Sequence, residues 1–217
     1  MTTDKQIQAI NLYHALMSEA RYRIDAVNFV LAGGTQLAEA IVQELLYLQL
    51  RMLCETIALG CLVAHGDIVQ TQIKKFETQW SAERIIESLE ELNPDFFPQQ
   101  MVLAKSNNIV SITANTNSNA LTKTELPKLW NKCGGFLHRG TLKKIMIAVK
   151  AGHKPVNVPD IVGSTQKIED LLGSHLIPLH ATDQSGVIMI CHLRDANKNM
   201  ETTVHRVEMA RAKIPVP

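Results

Sequence analysis

Apolar residues recur at helical spacing from Asp4 to Leu31. Ile7, Ile10, Leu16, Ile24, Val27 and Leu31 mark one face, with Tyr13 and Ala20 between them. The polar flank holds Glu19, Arg21, Arg23 and Asp25, so the pattern predicts one long amphipathic helix. A short Ala-Gly-Gly link then leads to the longest apolar run in the chain. From Thr35, an acceptable N-cap, to His65 no proline interrupts, and Gly66 stands where a terminating glycine would. Two helices joined so briefly are expected to pack antiparallel.

The second helix reads as two halves. In the first, Gln36, Glu39, Gln43 and Glu44 share a solvent face, while Ile41, Val42, Leu45, Leu46 and Leu48 point to a core. In the second, Leu50, Leu53, Cys54, Ile57, Leu59, Cys61 and Leu62 point in all directions, the pattern of an enclosed helix. Gln49, Arg51 and Glu55 interrupt it, which argues against a membrane crossing.

Further helices are expected over Asp67 to Gln79 and Ala82 to Leu92, the latter stopped by Asn93-Pro94. Phe96 and Phe97 then plug the end of the helical layer. Ser106 to Ala120 is rich in Asn, Thr and Ser and reads as an exposed loop or a loop with a small hairpin, with a short strand at Ile109 to Ile112. Thr122 and Glu125 have capping-box spacing ahead of a helix that reaches about Leu137. Another helix is expected from Thr141 through Lys150, and a last one from Asp160 to Gly173. The period then changes to two. His175 to His180, Val187 to Leu193 and Thr202 to Glu208 predict a small antiparallel meander. The fold class expected is mainly α: an antiparallel helical bundle over 1–154, and a C-terminal α+β module over 155–217.

Composition adds little except in its charge. The chain has 217 residues, 46% hydrophobic and 20% charged, with net charge +1, which is ordinary for a globular protein. Cys54, Cys61, Cys133 and Cys191 form no CxxC pair and read as core thiols. Met1 to Gln8 is polar and no apolar signal segment follows, so a cytoplasmic location is expected. From Leu126 to Pro159, however, there is no Asp or Glu. That window holds Lys128, Lys132, Arg139, Lys143, Lys144, Lys150 and Lys154, with His138 and His153. Such asymmetry fits an anionic partner such as nucleic acid, a solvated basic surface, or a surface that pairs with the acidic part of the same chain.

Candidate chemistry is sparse. There is no HExxH, no zinc spacing and no GxSxG. Gly135 and Gly140 have glycine-loop spacing, but Thr141-Leu142 follows where a phosphate-binding loop needs Lys-Ser/Thr. His180, Cys191, His192 and His205 fall on neighbouring strands without a metal-site pattern. No cofactor or metal is expected. Two places remain. Arg51 and Glu55 are four apart on an apolar helix and can pair, either to set helix register or to line a site. His138 and Arg139 close the helix in the basic window, where a histidine suits acid/base chemistry on a phosphodiester or simply caps a helix C-terminus.

The run Leu48-Gln49-Leu50-Arg51-Met52-Leu53-Cys54-Glu55, the Asn93-Pro94 stop and the segment Leu129 to His138 resemble uncharacterised bacterial helical proteins of the HEPN type. The resemblance spans about Asp4 to Lys150. It implies a helical bundle that often dimerises, RNA as partner, metal-independent ribonuclease activity in active members, and a place in defence or toxin–antitoxin biology. Active members carry Arg, then four to six residues, then His. His138 matches the histidine, but Asn131, Lys132 and Cys133 stand where the arginine would. The resemblance therefore implies either a site of His138 and Arg139 completed by Arg51 and Glu55, or a degenerate member. Lys128, Lys132, Arg139, Lys143 and Lys144 would contact the nucleic acid. The alternative is a non-enzymatic interaction module, dimeric through the long helices.

Overall fold

Helix α1 spans Asp4–Leu31, the limits its period predicts, and buries Tyr13, Met17, Ala20, Ile24 and Val27. The computed structural model describes residues 4–66, 81–106, 109–115, 118–138, 146, 156–180 and 186–209. The helix expected over Asp67 to Gln79 lies outside these residues, and so does the one over Thr141 to Lys150 apart from Met146. The turn after α1 needs its two glycines. Gly33 has φ 82°, and a β-carbon on Gly34 would stand 2.4 Å from the Phe29 ring.

Helix α2 spans Glu39–Ala64, four residues shorter at its start than expected. Thr35 does not cap it. Its hydroxyl accepts from the Leu37 amide (3.2 Å) in a local turn, and Ala38 occupies the N-cap. α2 runs antiparallel along α1. Gly60 lies against Tyr13 and Met17, while the Arg23 guanidinium donates to Gln49 (2.9 Å). The core face is Leu46, Tyr47, Leu50, Leu53, Cys54 and Ile57. Ile41 and Leu48, expected on that face, instead point outward and are 48% and 41% exposed. They sit about half a turn of the wheel from Leu46 and Leu50, and α1 and the rest of the core take the opposite side. The later half is enclosed on most sides, but Leu59 is exposed. α2 is long and apolar enough to span a membrane, yet 56% of its most apolar window is buried inside the fold.

Helix α3 (Ala82–Leu92) buries Ile85, Ile86 and Leu89, and Asn93 ends it. Phe96 and Phe97 are both buried, edge to face at 5.9 Å, so neither offers a ring for stacking. The short strand expected at Ile109 to Ile112 is present as β2 (Ile109–Ala114), and it forms a hairpin with β1 (Gln99–Ser106), a strand the sequence reading did not mark. Helix α4 (Glu125–Leu137) has Thr124 at its N-cap, and the predicted Thr122–Glu125 pair bridges the turn just ahead of it. The Glu125 amide donates to Thr122 Oγ1 (3.3 Å) and the Thr122 amide to Glu125 Oε2 (3.0 Å). Helix α5 (Val158–Leu172) is capped by Asn157, whose side chain accepts from the Asp160 amide.

The expected meander is present as β3 (Ser174–His180), β4 (Gly186–Asp195) and β5 (Glu201–Met209). It extends to a five-stranded antiparallel sheet of order β2-β1-β3-β4-β5, because Gln99 and Gln100 pair with Leu176 and His175. The chain is therefore mainly α with a C-terminal α+β part. One continuous core joins helices and sheet, from Tyr13 and Leu50 through Phe96 and Trp130 to Ile177 and Cys191. Met101, Leu176 and Ile190 form a small second cluster on the other face of the sheet.

Candidate functional site

Helices α2 and α4 meet at Arg51 and Glu55. The i,i+4 spacing brings the two together as expected, with Arg51 Nε 3.2 Å from Glu55 Oε1. The guanidinium carbon lies over the Trp130 ring, 4.0 Å from its centroid. The indole N–H donates to the same Glu55 oxygen at 2.8 Å. Behind the guanidinium is Gly134, where an added β-carbon would come within 2.6 Å of Arg51 Nη1. The side chains of Arg51 and Glu55 keep only 16% and 19% of their exposure. The pair is a closed brace between two helices. One face of the guanidinium is spent on an indole, one edge on a helix backbone and one N–H on a carboxylate. A phosphate has no open approach to such an arginine from those sides.

A second polar connection ties α5 to the same region. The Tyr47 hydroxyl donates to Asp160 Oδ2 (2.9 Å), and Lys132 pairs with Asp160 Oδ1. The Tyr47 ring stacks on Phe136 at 3.8 Å. Burial, then the Asp160 carboxylate, raise the Tyr47 hydroxyl pKa above its ordinary value. Lys132, expected to meet nucleic acid, is thus neutralised within the fold.

His138 closes α4. Its amide donates to the Gly134 carbonyl (3.1 Å), and its own backbone is extended. Its side chain is exposed and makes no hydrogen bond or ion pair with any described residue. The structure therefore brings Arg51 to Glu55 but joins neither to His138 by a hydrogen bond or ion pair. Lys128 is exposed on α4. Arg139, Lys143 and Lys144 lie outside the described residues.

The remaining reactive groups are sealed. Burial pushes the Cys133 thiol up to about 12 and raises Cys54, which lies beside it, well above the ordinary range. All four cysteines are free and buried. Cys191 faces the core, whereas His192, next in the strand, points to the other face with His205, the cross-strand partner of Ile190. The strand period separates the residues that a metal site would need to combine, and no cluster of three ligand-type side chains occurs among the described residues.

Trp130 and Gly134 are the residues that sequence reading missed. Trp130 reads as one more apolar contact, although a half-buried indole N–H needs an acceptor. Gly134 drew no attention of its own, yet it makes room for the Arg51 guanidinium. No family model, no curated protein and no solved structure matches this chain.

Proposed function

We propose that this chain is an RNA-associated helical-bundle protein of the HEPN-like type that binds RNA without cleaving it. The observation that carries this reading is the carboxylate-free stretch from Leu126 to Pro159, which holds seven lysines and arginines. It begins on α4, where Lys128 and His138 are exposed. Asp160, the first acid beyond it, engages Lys132. Binding rather than cleavage is favoured because Arg51 is engaged by Glu55 and Trp130, and no arginine stands four to six residues before His138.

The test is fluorescence anisotropy with a labelled single-stranded RNA, read at several salt concentrations with EDTA present. Affinity is expected to fall steeply with salt, with a slope of about 0.7 for each phosphate contacted. Lys128→Glu and His138→Ala are expected to weaken binding with the RNA left intact throughout. Absence of salt-sensitive binding would sink the reading. Cleavage by the wild type that disappears in His138→Ala would replace it with a ribonuclease.

A further inference from the structure

His65 closes α2 and is only 3% exposed, yet both of its ring nitrogens face backbone carbonyls. Nδ1 lies 2.9 Å from the Cys61 oxygen, one turn back in the same helix, and Nε2 lies 3.1 Å from the Pro178 oxygen on β3. Pro178 stands past the two residues of β3 that pair with β1, so its carbonyl is met by a side chain instead of a strand. A carbonyl oxygen only accepts. Two N–H groups are therefore required, and only the imidazolium carries two. In a neutral ring one nitrogen would turn its lone pair towards an oxygen at 2.9 or 3.1 Å. His175, on the same strand as Pro178, shows the contrast. One of its ring nitrogens accepts from Tyr13 and the other donates to Leu172, which a neutral ring satisfies.

We propose that His65 is a buried imidazolium at neutral pH, and that its proton ties the end of α2 to β3 as a pH-sensitive clasp. Burial opposes the charge. Two charge-assisted hydrogen bonds favour it, each roughly twice as strong as a neutral one, and so does the negative C-terminal end of a 26-residue helix. The titratable groups on the surrounding elements are uncharged at neutral pH. Burial raises Cys61 of α2 and Tyr13 of α1, and lowers His175 of β3. The core positions of β4 opposite this part of β3, Val187 and Met189, are apolar. Arg206 and Glu208, on that side of β5, pair with each other at 3.9 Å. Asp4 and Lys5, at the start of α1, are exposed. Asp67, two residues on, is the nearest carboxylate along the sequence. The folded chain thus holds the His65 proton to higher pH than the unfolded chain, where histidine titrates at about 6.5. The stabilisation is complete below that value and is lost as pH rises through the folded midpoint. The bond to Cys61 closes over four residues and survives in the neutral ring, whereas the bond to Pro178 spans 113 residues and is the one released. The clasp does not depend on RNA association.

Nitrogen NMR of the isotope-labelled wild type, with the His65 ring assigned through bonds to its own backbone, tests this from about pH 5 to 10. Both ring nitrogens are expected to carry protons at neutral pH, with a midpoint above about 7. A midpoint at or below about 7 would overturn the proposal. The Pro178 carbonyl carbon is expected to shift with the same midpoint, and a carbonyl that does not respond would overturn the clasp. In Asp67→Asn the midpoint is expected to stay above about 7, and a return to the free-histidine value of about 6.5 would assign the charge to Asp67 instead of the two carbonyls. In urea, the advantage of wild type over His65→Gln is expected to shrink between about pH 6 and 9, and a gap that stays constant would contradict the linkage. The NMR titration needs no His65 variant, so it decides the matter even where His65→Gln fails to fold.

Discussion

Arg51 holds its guanidinium 4.0 Å over the Trp130 ring, and that stack fixes where its Nη1 lies against Gly134. Ordinarily, alanine in place of a helical glycine gains about 1 kcal/mol. Here the new β-carbon would meet Nη1 at 2.6 Å, and the guanidinium is held by both Glu55 and Trp130. Displacing a packed group costs about 1 to 3 kcal/mol, which outweighs the helix gain. Gly134→Ala is therefore expected to destabilise the protein by about 1 kcal/mol. In an Arg51→Ala background the sign should reverse. A urea double-mutant cycle checks both halves.

The buried pair of Tyr13 and His175 makes stability depend on pH. The Tyr13 hydroxyl donates to His175 Nε2 at 2.6 Å, while Nδ1–H donates to the Leu172 carbonyl at 3.0 Å. Burial lowers the His175 pKa from 6.5 to about 4. The unfolded chain takes up the proton near 6.5 and the folded chain only near 4. Between those values the unfolded state binds more protons, so stability falls as pH drops through this window and is unaffected above it. At about 1.4 kcal/mol per unit, the loss approaches about 3 kcal/mol. Urea midpoints at pH 7.5 and 4.5 should converge by most of that amount in His175→Phe relative to wild type.

Glu125 serves two elements at once, as part of the α4 capping box and as partner of Lys167 on α5 (2.6 Å). The Lys167 hydrogen bond, followed by those from Thr122, holds its pKa below the ordinary carboxylate value against a weaker opposing effect of burial. Its contribution to stability is therefore present above the usual Glu range and is lost as pH falls through the lowered folded value. Lys167→Met is expected to return the Glu125 titration, followed by carboxyl NMR, towards the ordinary range. Thr122→Ala should cost about 1 kcal/mol without that return being complete.

Local signals in the chain were readable, and contacts between distant segments were not. α1, α3 and α4 follow from their period and caps, as do the three strands from Ser174 onward. Thr35 misled because its hydroxyl serves a turn of its own. Ile41 and Leu48 misled because an apolar residue on a wheel does not say which side the core takes. β1 was hidden because Met101 to Ala104 is apolar at every position, without the alternation that marks a half-buried strand. The Arg51–Glu55 pair was visible from spacing alone. Trp130, 75 residues from Glu55, enters only when two helices pack, and so does the reason for Gly134.

Helix α1 reaches across nearly the whole chain for its contacts. Tyr13 meets His175, His14 donates to the Thr202 carbonyl, and Arg21 donates to that of Met200. During translation α1 is thus made well before the strands that cover its buried face. Its early partner is α2, and the sheet side of Tyr13 stays wet until β3 to β5 emerge. Closure of this core is consequently an event of high contact order, slower than packing helices that are neighbours in sequence.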